Sequence, residues 1–406
     1  LIGSKMLVDW KIRAAFGEAG IQPYSYRPFA RQITLDVANI GNSVGLLLPS
    51  QNSNAALRVQ KSQELEIGTD LTLKTGLEFW IPSITVGATY WNRVSKDVIQ
   101  DADLAISSGF SQIIDNLSTL KSKGFDFSLD AIVADKKRFR WTFGFRLGTF
   151  EVIAEKIANN ADIISGIFAL KEGEKLGTFY SMAPLTSIGQ LRPDKTPYIP
   201  EADRNNYEIV NGMVVNKNTR RVFVSDPNDQ VIVGSALPDF NASFINTLTI
   251  FNDLTLGFQF DVRQGNQIYN LTRQWLYRDR LHKDYDRPVT INGQSGTWVQ
   301  YYNSLYNNVS PISWFVEDGS FLRLRDLSLT YTIPAAITPK WLRTASVTLA
   351  GRNLFTKTNY SGLDPESTNT SDSQGNAAPS IGAINGVDHF GVPNLRSYQV
   401  QLSFGF

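Results

Sequence analysis

LRSYQVQLSFGF, residues 395–406, puts Tyr398, Val400, Leu402, Phe404 and Phe406 on one side of an extended strand and Gln399, Gln401, Ser403 and Gly405 on the other. Successive side chains of a strand point to opposite faces, so this is a one-sided apolar ribbon. Chain termini are ordinarily loose and polar unless something pins them. A greasy face that runs to a terminal aromatic requires a cover, either a protein core or lipid.

The same alternation recurs upstream. Trp10, Ile12, Ala14 and Phe16 oppose Lys11 and Arg13; Leu65, Ile67, Leu71 and Leu73 oppose Glu64, Glu66, Asp70 and Lys74. Further stripes are Ile84 to Tyr90, Phe125 to Val133, Phe139 to Leu147, Phe240 to Leu248, Leu254 to Val262, Leu327 to Tyr331, and Val347 with Leu349. In the clearest stripes no Asp, Glu, Lys or Arg falls on the apolar side. A charge at mid-bilayer costs about 2–4 kcal/mol for Lys or Arg, and a packed core excludes unpaired charge as well. The connections favour lipid. They run long, short, long, short: long near 18–62, 93–119, 151–238, 263–320 and 353–395, short near 76–81, 135–137, 251–253 and 333–343. Short turns on one side and long loops on the other are the outer-membrane barrel pattern. Residues 151–238 contain strand-like LGTFYS and NTRRVFVS, and parity allows none or two membrane strands there, so the total is ten to twelve.

Composition agrees. The net charge of +1 does not fit a nucleic-acid binder. No run of about 18 apolar residues is present, which excludes membrane helices but not membrane strands. Cys is absent and His occurs twice, so disulfides and Cys-based zinc sites are excluded. The opening LIGSKMLVDW has no initiator Met, no basic n-region and no cleavage site; either a signal was removed or, the favoured reading, this is a piece of a longer chain.

Several stretches then resemble one family. GSFLRLRDLSLTYTIP (319–334), GRNLFTKTNYSGLDPE (351–366) and GVPNLRSYQVQLSFGF (391–406) closely resemble the C-terminal end of SusC/RagA TonB-dependent outer-membrane transporters. DWKIRAAFGEAG (9–20), STLKSKGFDFSL (118–129, with Ser122 where Asn is usual) and VIVGSALPDFNASF (231–244) are similar to earlier elements of that family, in order. The resemblance implies an all-β, transmembrane antiparallel barrel of about 22 strands, of which residues 1–406 would be the C-terminal part. It implies as partners an N-terminal half with a plug domain, a SusD-like surface lipoprotein as lid, TonB acting on the plug, and a glycan or peptide substrate. Membrane lipid and lipopolysaccharide would surround the barrel, in the outer membrane of a Bacteroidetes-like bacterium. No cofactor, metal, nucleic acid or catalysis is expected. The competing readings are a passive porin or structural barrel, and a soluble carbohydrate-binding β protein.

Site candidates follow from the loops. Tyr269, Trp275, Tyr277, Arg278, Tyr285, Trp298, Tyr301 and Tyr302 crowd the 263–320 connection, where ring faces with polar tips could grip sugars or peptide side chains. The loop at 353–395 is rich in Gly, Ser, Asn and Asp. Val400, Leu402, Phe404 and Phe406 resemble the C-terminal signal read by the barrel-assembly machinery. LDPE (363–366) and DPND (226–229) read as turns before they read as metal or acid/base sites. GQSGT (293–297) fails the nucleophile pattern. Arg140, Arg146, Glu64, Glu66, Asp70, Asp126 and Asp130 belong to the wet face and line a lumen.

Overall fold

The computed structural model describes residues 6–406 apart from 23–35, 42, 48–50, 53, 78, 111, 159–161, 166, 308–309, 340 and 369–384. The alternating segments become ten long strands: β1 (Leu7–Ile21), β2 (Gln60–Lys74), β3 (Trp80–Asp103), β4 (Gln112–Lys136), β5 (Phe139–Ile157), β6 (Phe240–Ile250), β7 (Leu254–Gln264), β8 (Phe321–Thr332), β9 (Thr344–Thr358) and β10 (Ser397–Gly405). Each pairs antiparallel with the next in chain order, forming one continuous meander. Among the described residues, β1 and β10 each pair on one edge only.

The register makes two neighbouring rows of opposite chemistry. One row crosses from β1 to β9 as Trp10, Leu71, Val86, Leu129, Phe145, Phe244, Phe260, Leu324 and Phe355. The adjacent row crosses the same strands as Lys11, Asp70, Gly87, Ser128, Arg146, Ser243, Asp261, Arg323 and Thr356. A one-residue slip anywhere would exchange the two faces, so the hydrophobic pattern itself fixes the pairing. The apolar row carries an aromatic ladder, with Phe145 centred 5.0 Å from Phe244 and 6.0 Å from Phe127. Some polar side chains sit on this face with hydrogen-bond partners: Thr69, between Ile67 and Leu71, accepts from the Trp10 indole at 2.9 Å. Asn246 is buried and accepts a 3.0 Å hydrogen bond from the Trp141 indole, which removes the cost of an orphaned amide.

The connections at one end of the sheet are short: 75–79, 137–138, 251–253 and 333–343. At 251–253 the reversal uses left-handed backbone at Phe251 and Asn252. Those at the other end span 22–59, 104–111, 158–239, 265–320 and 359–396. The expected rhythm is present with one correction. Residues 93–119 are mostly strand, because β3 and β4 run for 24 and 25 residues. A membrane strand needs only about 9–11 residues. Beyond the bilayer both faces meet water, and alternation disappears while pairing continues.

Residues 151–238 add no strand to the wall. LGTFYS contributes Thr178–Ser181 to a separate four-stranded sheet, with Val231–Ser235, Phe168–Leu170 and Ile163–Ser165. NTRRVFVS makes isolated bridges, Val222 with Val215 and Val224 with Pro184. A three-stranded sheet of Val316–Asp318, Gln267–Asn270 and Val387–Asp388 ties the last two long loops together. Phe168, Phe179, Met182, Tyr277, Tyr301, Phe315 and Val387 belong to one shared apolar core. The described parts of the connections 158–239, 265–320 and 359–396 therefore form a packed assembly, which is how segments of this length keep a fixed shape.

Candidate functional site

Two surfaces offer recognition chemistry: the polar face of the wall and the loop assembly above it. On the polar face, charged side chains pair across strands. Arg13 meets Asp70 at 3.0 Å, Arg146 meets Asp130 at 2.8 Å, and Arg93 pairs with Glu64; Lys123, which shares the face of Phe125 and Phe127, meets Glu151 at 3.0 Å on the opposite side of the sheet. A cavity of about 370 Å³ on this face is bordered by Arg13, Asp70, Asp126, Arg146 and Ser243. The alternating signs of Glu64, Asp70, Asp130 and Arg146 make an ion-paired wall, and Asp126 borders its cavity.

The eight aromatic and basic candidates divide sharply. In the loop, α1 (Leu271–Arg278) is capped by Asn270, whose side chain accepts the Arg273 N–H at 2.8 Å. Its face of Leu271, Gln274 and Tyr277 points into the core. Tyr277 is fully buried, and Tyr269, Tyr285, Tyr301 and Tyr302 are also buried. Their rings pack edge-on, Tyr277 against Tyr285 at 5.5 Å and Phe315 at 5.0 Å, and Tyr301 against Tyr302 at 4.9 Å. In this arrangement these five present no ring face to a ligand; they hold the loops in shape. Burial pushes the Tyr285 phenol up to about 12 and also raises Tyr277 and Tyr269.

A polar node lies within this core. Arg273 binds Glu317 at 2.9 Å and Asp284 at 3.3 Å, and the Tyr277 hydroxyl donates to Asp284 at 2.5 Å. Burial pushes the Asp284 carboxyl up, but Tyr277 and the neighbouring cations outweigh it and hold it below the ordinary value. Trp275, Trp298 and Arg278 keep exposure. Arg278 lies over Trp275 at 4.4 Å, with His389 and Phe390 edge-on to the indole at 5.4 and 5.3 Å. Arg220 covers one face of Trp298 at 3.6 Å.

The motif readings resolve locally. DPND is a turn whose Asp226 and Asp229 both bind Arg192, the latter at 2.7 Å. Within GQSGT, Gln294–Gly296 is one arm of a hairpin with Val289–Ile291, reversed by Asn292 and Gly293 in left-handed conformation, the Asn-Gly turn that suits a two-residue reversal. LDPE is a turn, with Asp364 accepting the Glu366 N–H at 2.9 Å. Its carboxylates are bound by Arg323 and Arg325, a meeting that sequence spacing alone did not signal. The Gly/Ser/Asn/Asp-rich reading of 353–395 lies partly outside the described residues. Val400, Leu402 and Phe404 lie exposed on β10, and Phe406 stacks on Trp341 with ring centres 5.8 Å apart.

No family model matches this chain. It is 25% identical over 417 residues to TonB-dependent receptor P3 of Formosa agariphila, covering 99% of this chain and 40% of that protein. It is also 25% identical over 387 residues to TonB-dependent receptor P26 of the same organism, covering 89% and 37%. The chain thus spans about two fifths of the length of the relatives it matches. In fold it matches the RagAB peptide importer in its closed-closed state, with TM-score 0.68, 18% identity, and 100% of this chain against 42% of that one. The open-open state gives TM-score 0.67 and 19% identity, covering 100% and 41%. The architecture is accordingly that of an outer-membrane β-barrel wall.

Proposed function

We propose, from a chain whose relatives are TonB-dependent receptors and whose fold is that of the RagAB barrel, that these strands form part of an energised importer in the outer membrane of a Bacteroidetes-like bacterium. The apolar row faces hydrocarbon, the polar row lines a passage, and the short turns lie in the periplasm. The substrate is an oligosaccharide or a peptide that enters between the loops. A SusD-like lipoprotein covers it from outside, and a plug in the remainder of the receptor gates it through TonB. Trp275, Trp298 and Arg278 are the loop candidates that still offer surface to a ligand. The terminal strand, through Val400, Leu402, Phe404 and Phe406, serves barrel assembly. The barrel performs no chemistry on its cargo.

The observation that carries this reading is the pair of adjacent rows, Trp10 to Phe355 wholly apolar and Lys11 to Thr356 polar or glycine. Nine strands in register with one greasy and one wet face make a boundary between lipid and water. The test is uptake by cells carrying the complete receptor, offered fluorescent oligosaccharides and peptides, with and without a protonophore. Energised import predicts accumulation that stops when the proton gradient collapses. Uptake that continues undiminished would make the protein a passive pore.

A further inference from the structure

The wall motif FLRLRD and the loop motif LDPE meet on the polar face of the sheet. β8 carries a bulge between Leu324 and Asp326, and across from it Asn353 of β9 adopts a left-handed φ of 54°. The extra residue breaks alternation, so that Arg323, Arg325 and Asp326 all turn to the polar side; bulges re-aim side chains in this way. Arg323, only 2% exposed, bonds Asp364 at 2.5 Å and Glu366 at 2.6 Å. Arg325 grips both carboxylate oxygens of Glu366 at 2.9 and 2.8 Å, bonds Asp261 of β7 at 2.7 Å, and reaches Asn353 at 3.2 Å. Forked guanidinium–carboxylate pairs fix orientation as well as position.

The returning limb of the same loop is held at the same place. The Asn394 N–H donates to Asp364 at 2.9 Å, the Ser367 hydroxyl donates to the Val392 carbonyl at 2.7 Å, and the Asn353 amide donates to the Leu395 carbonyl at 3.1 Å. At its far end the loop joins the loop assembly, where the Tyr360 hydroxyl donates to Asp388 at 2.5 Å and Val387–Asp388 pairs with Gln267–Asn270. Both limbs of the 359–396 connection are therefore stitched to β7, β8 and β9 by one charged cluster.

We propose that Arg323 and Arg325, with Asp364 and Glu366, form a clasp that fixes the two limbs of the last long loop, 359–368 and 385–396, against the inner wall, so that these limbs are a stationary strap bordering the passage. Arg323 and Arg325 act through the strap, as positioning residues. Leu363 and Val392, each 81% exposed, are carried on it and are held at a constant place relative to the wall.

This chain contributes no cysteine; with any cysteine elsewhere in the complete receptor replaced by serine, spin labels at Val392→Cys and at Thr348→Cys on the polar face of β9 report strap-to-wall distance in outer-membrane vesicles. The parent gives one narrow distance distribution. Asp364→Asn with Glu366→Gln keeps the shape but removes the charge, and broadens it; Glu366→Asp restores a narrow distribution. Heat-modifiable mobility verifies that the barrel has formed. If the double variant does not form one, Glu366→Gln alone, which leaves Asp364 on Arg323, gives the same readout. A distribution that stays narrow after the charges are removed overturns the clasp. The uptake arm rests on the transport reading. There, loosening the strap raises the half-saturation concentration several-fold with little change in maximal rate, and an unchanged half-saturation concentration alongside a broadened distribution overturns the positioning role. Absence of uptake by the parent would sink the transport reading and leave the distance measurement to decide the clasp.

Discussion

Replacing Phe145 by Arg is the most direct test of which face meets lipid. Phe145 lies six positions into β5 from the short turn at 137–138, between Leu129 and Phe244. At about 3.3 Å per residue and a tilt of roughly 40°, it stands about 15 Å above the turn, near the middle of an apolar band about 25 Å tall. An Arg there costs about 2–4 kcal/mol. Losing the 5.0 Å ring contact with Phe244 adds about 0.5–1.5 kcal/mol. Thr247→Arg on β6 is the matched control, because Thr247 faces the polar side opposite Thr142 and Gly257. It should cost about 0–1 kcal/mol, since an exposed cation on a wet wall loses little hydration. Urea titration of the heat-modifiable form in lipid vesicles measures both in the complete receptor. Equal penalties, or a larger one for Thr247→Arg, would refute the assignment of faces.

Further outcomes follow from particular contacts. Trp141→Phe removes the donor to Asn246 and should cost about 1–3 kcal/mol, measured by the same titration; Trp141→Phe combined with Asn246→Leu should recover most of it. Burial raises the Tyr285 phenol from 10.0 to about 12, so the folded state holds a proton that the unfolded state gives up. Its contribution to stability is full below pH 10.0 and is lost as pH rises through about 12. Phenolate absorbance of this tyrosine cluster should therefore appear only as the loops open; its appearance near pH 10 with the loops still protected from proteolysis would contradict the buried core. Expressed alone, residues 1–406 should not yield a heat-modifiable, detergent-stable barrel; recovery of one would show that β1 closes on β10.

The wall was legible because lipid imposes a rule with period two. Phe143, Phe145 and Leu147 cannot trade places with Thr142, Gly144 and Arg146 without exposing charge to hydrocarbon, so the pattern survives in a single sequence. Where water touches both faces the rule lapses, and the outer halves of β3 and β4 read as loop. The loop candidates were harder for another reason. An aromatic can pack inward or stack outward with the same composition. α1 held only a partial clue: Leu271, Gln274 and Tyr277 recur every three residues on one helical face. Arg278 projects between Leu271 and Gln274 on the helix, so that period does not by itself separate core from surface. The clasp had no local signal, because Arg323 and Glu366 lie 43 positions apart and meet only when the loop returns to the wall.

The two strands at the ends of the meander set a lower bound on what must lie beside them. A strand crossing lipid offers about five unpaired N–H and five unpaired C=O groups along a free edge, if about ten of its residues are in hydrocarbon and alternate ones point outward. Each such group costs several kcal/mol without water to bond it. Two open edges therefore amount to tens of kcal/mol, several times the net stability of an ordinary fold, about 5–15 kcal/mol. Charged side chains on an edge, such as Lys11 and Arg13 of β1, discourage edge pairing in water but do nothing for backbone groups in lipid. In the membrane the edges of β1 and β10 must be paired, with one another or with further strands. The ion pairs that run across the polar face from Arg13–Asp70 to Arg325–Asp261 then line a continuous wet surface and do not end at a hydrocarbon boundary.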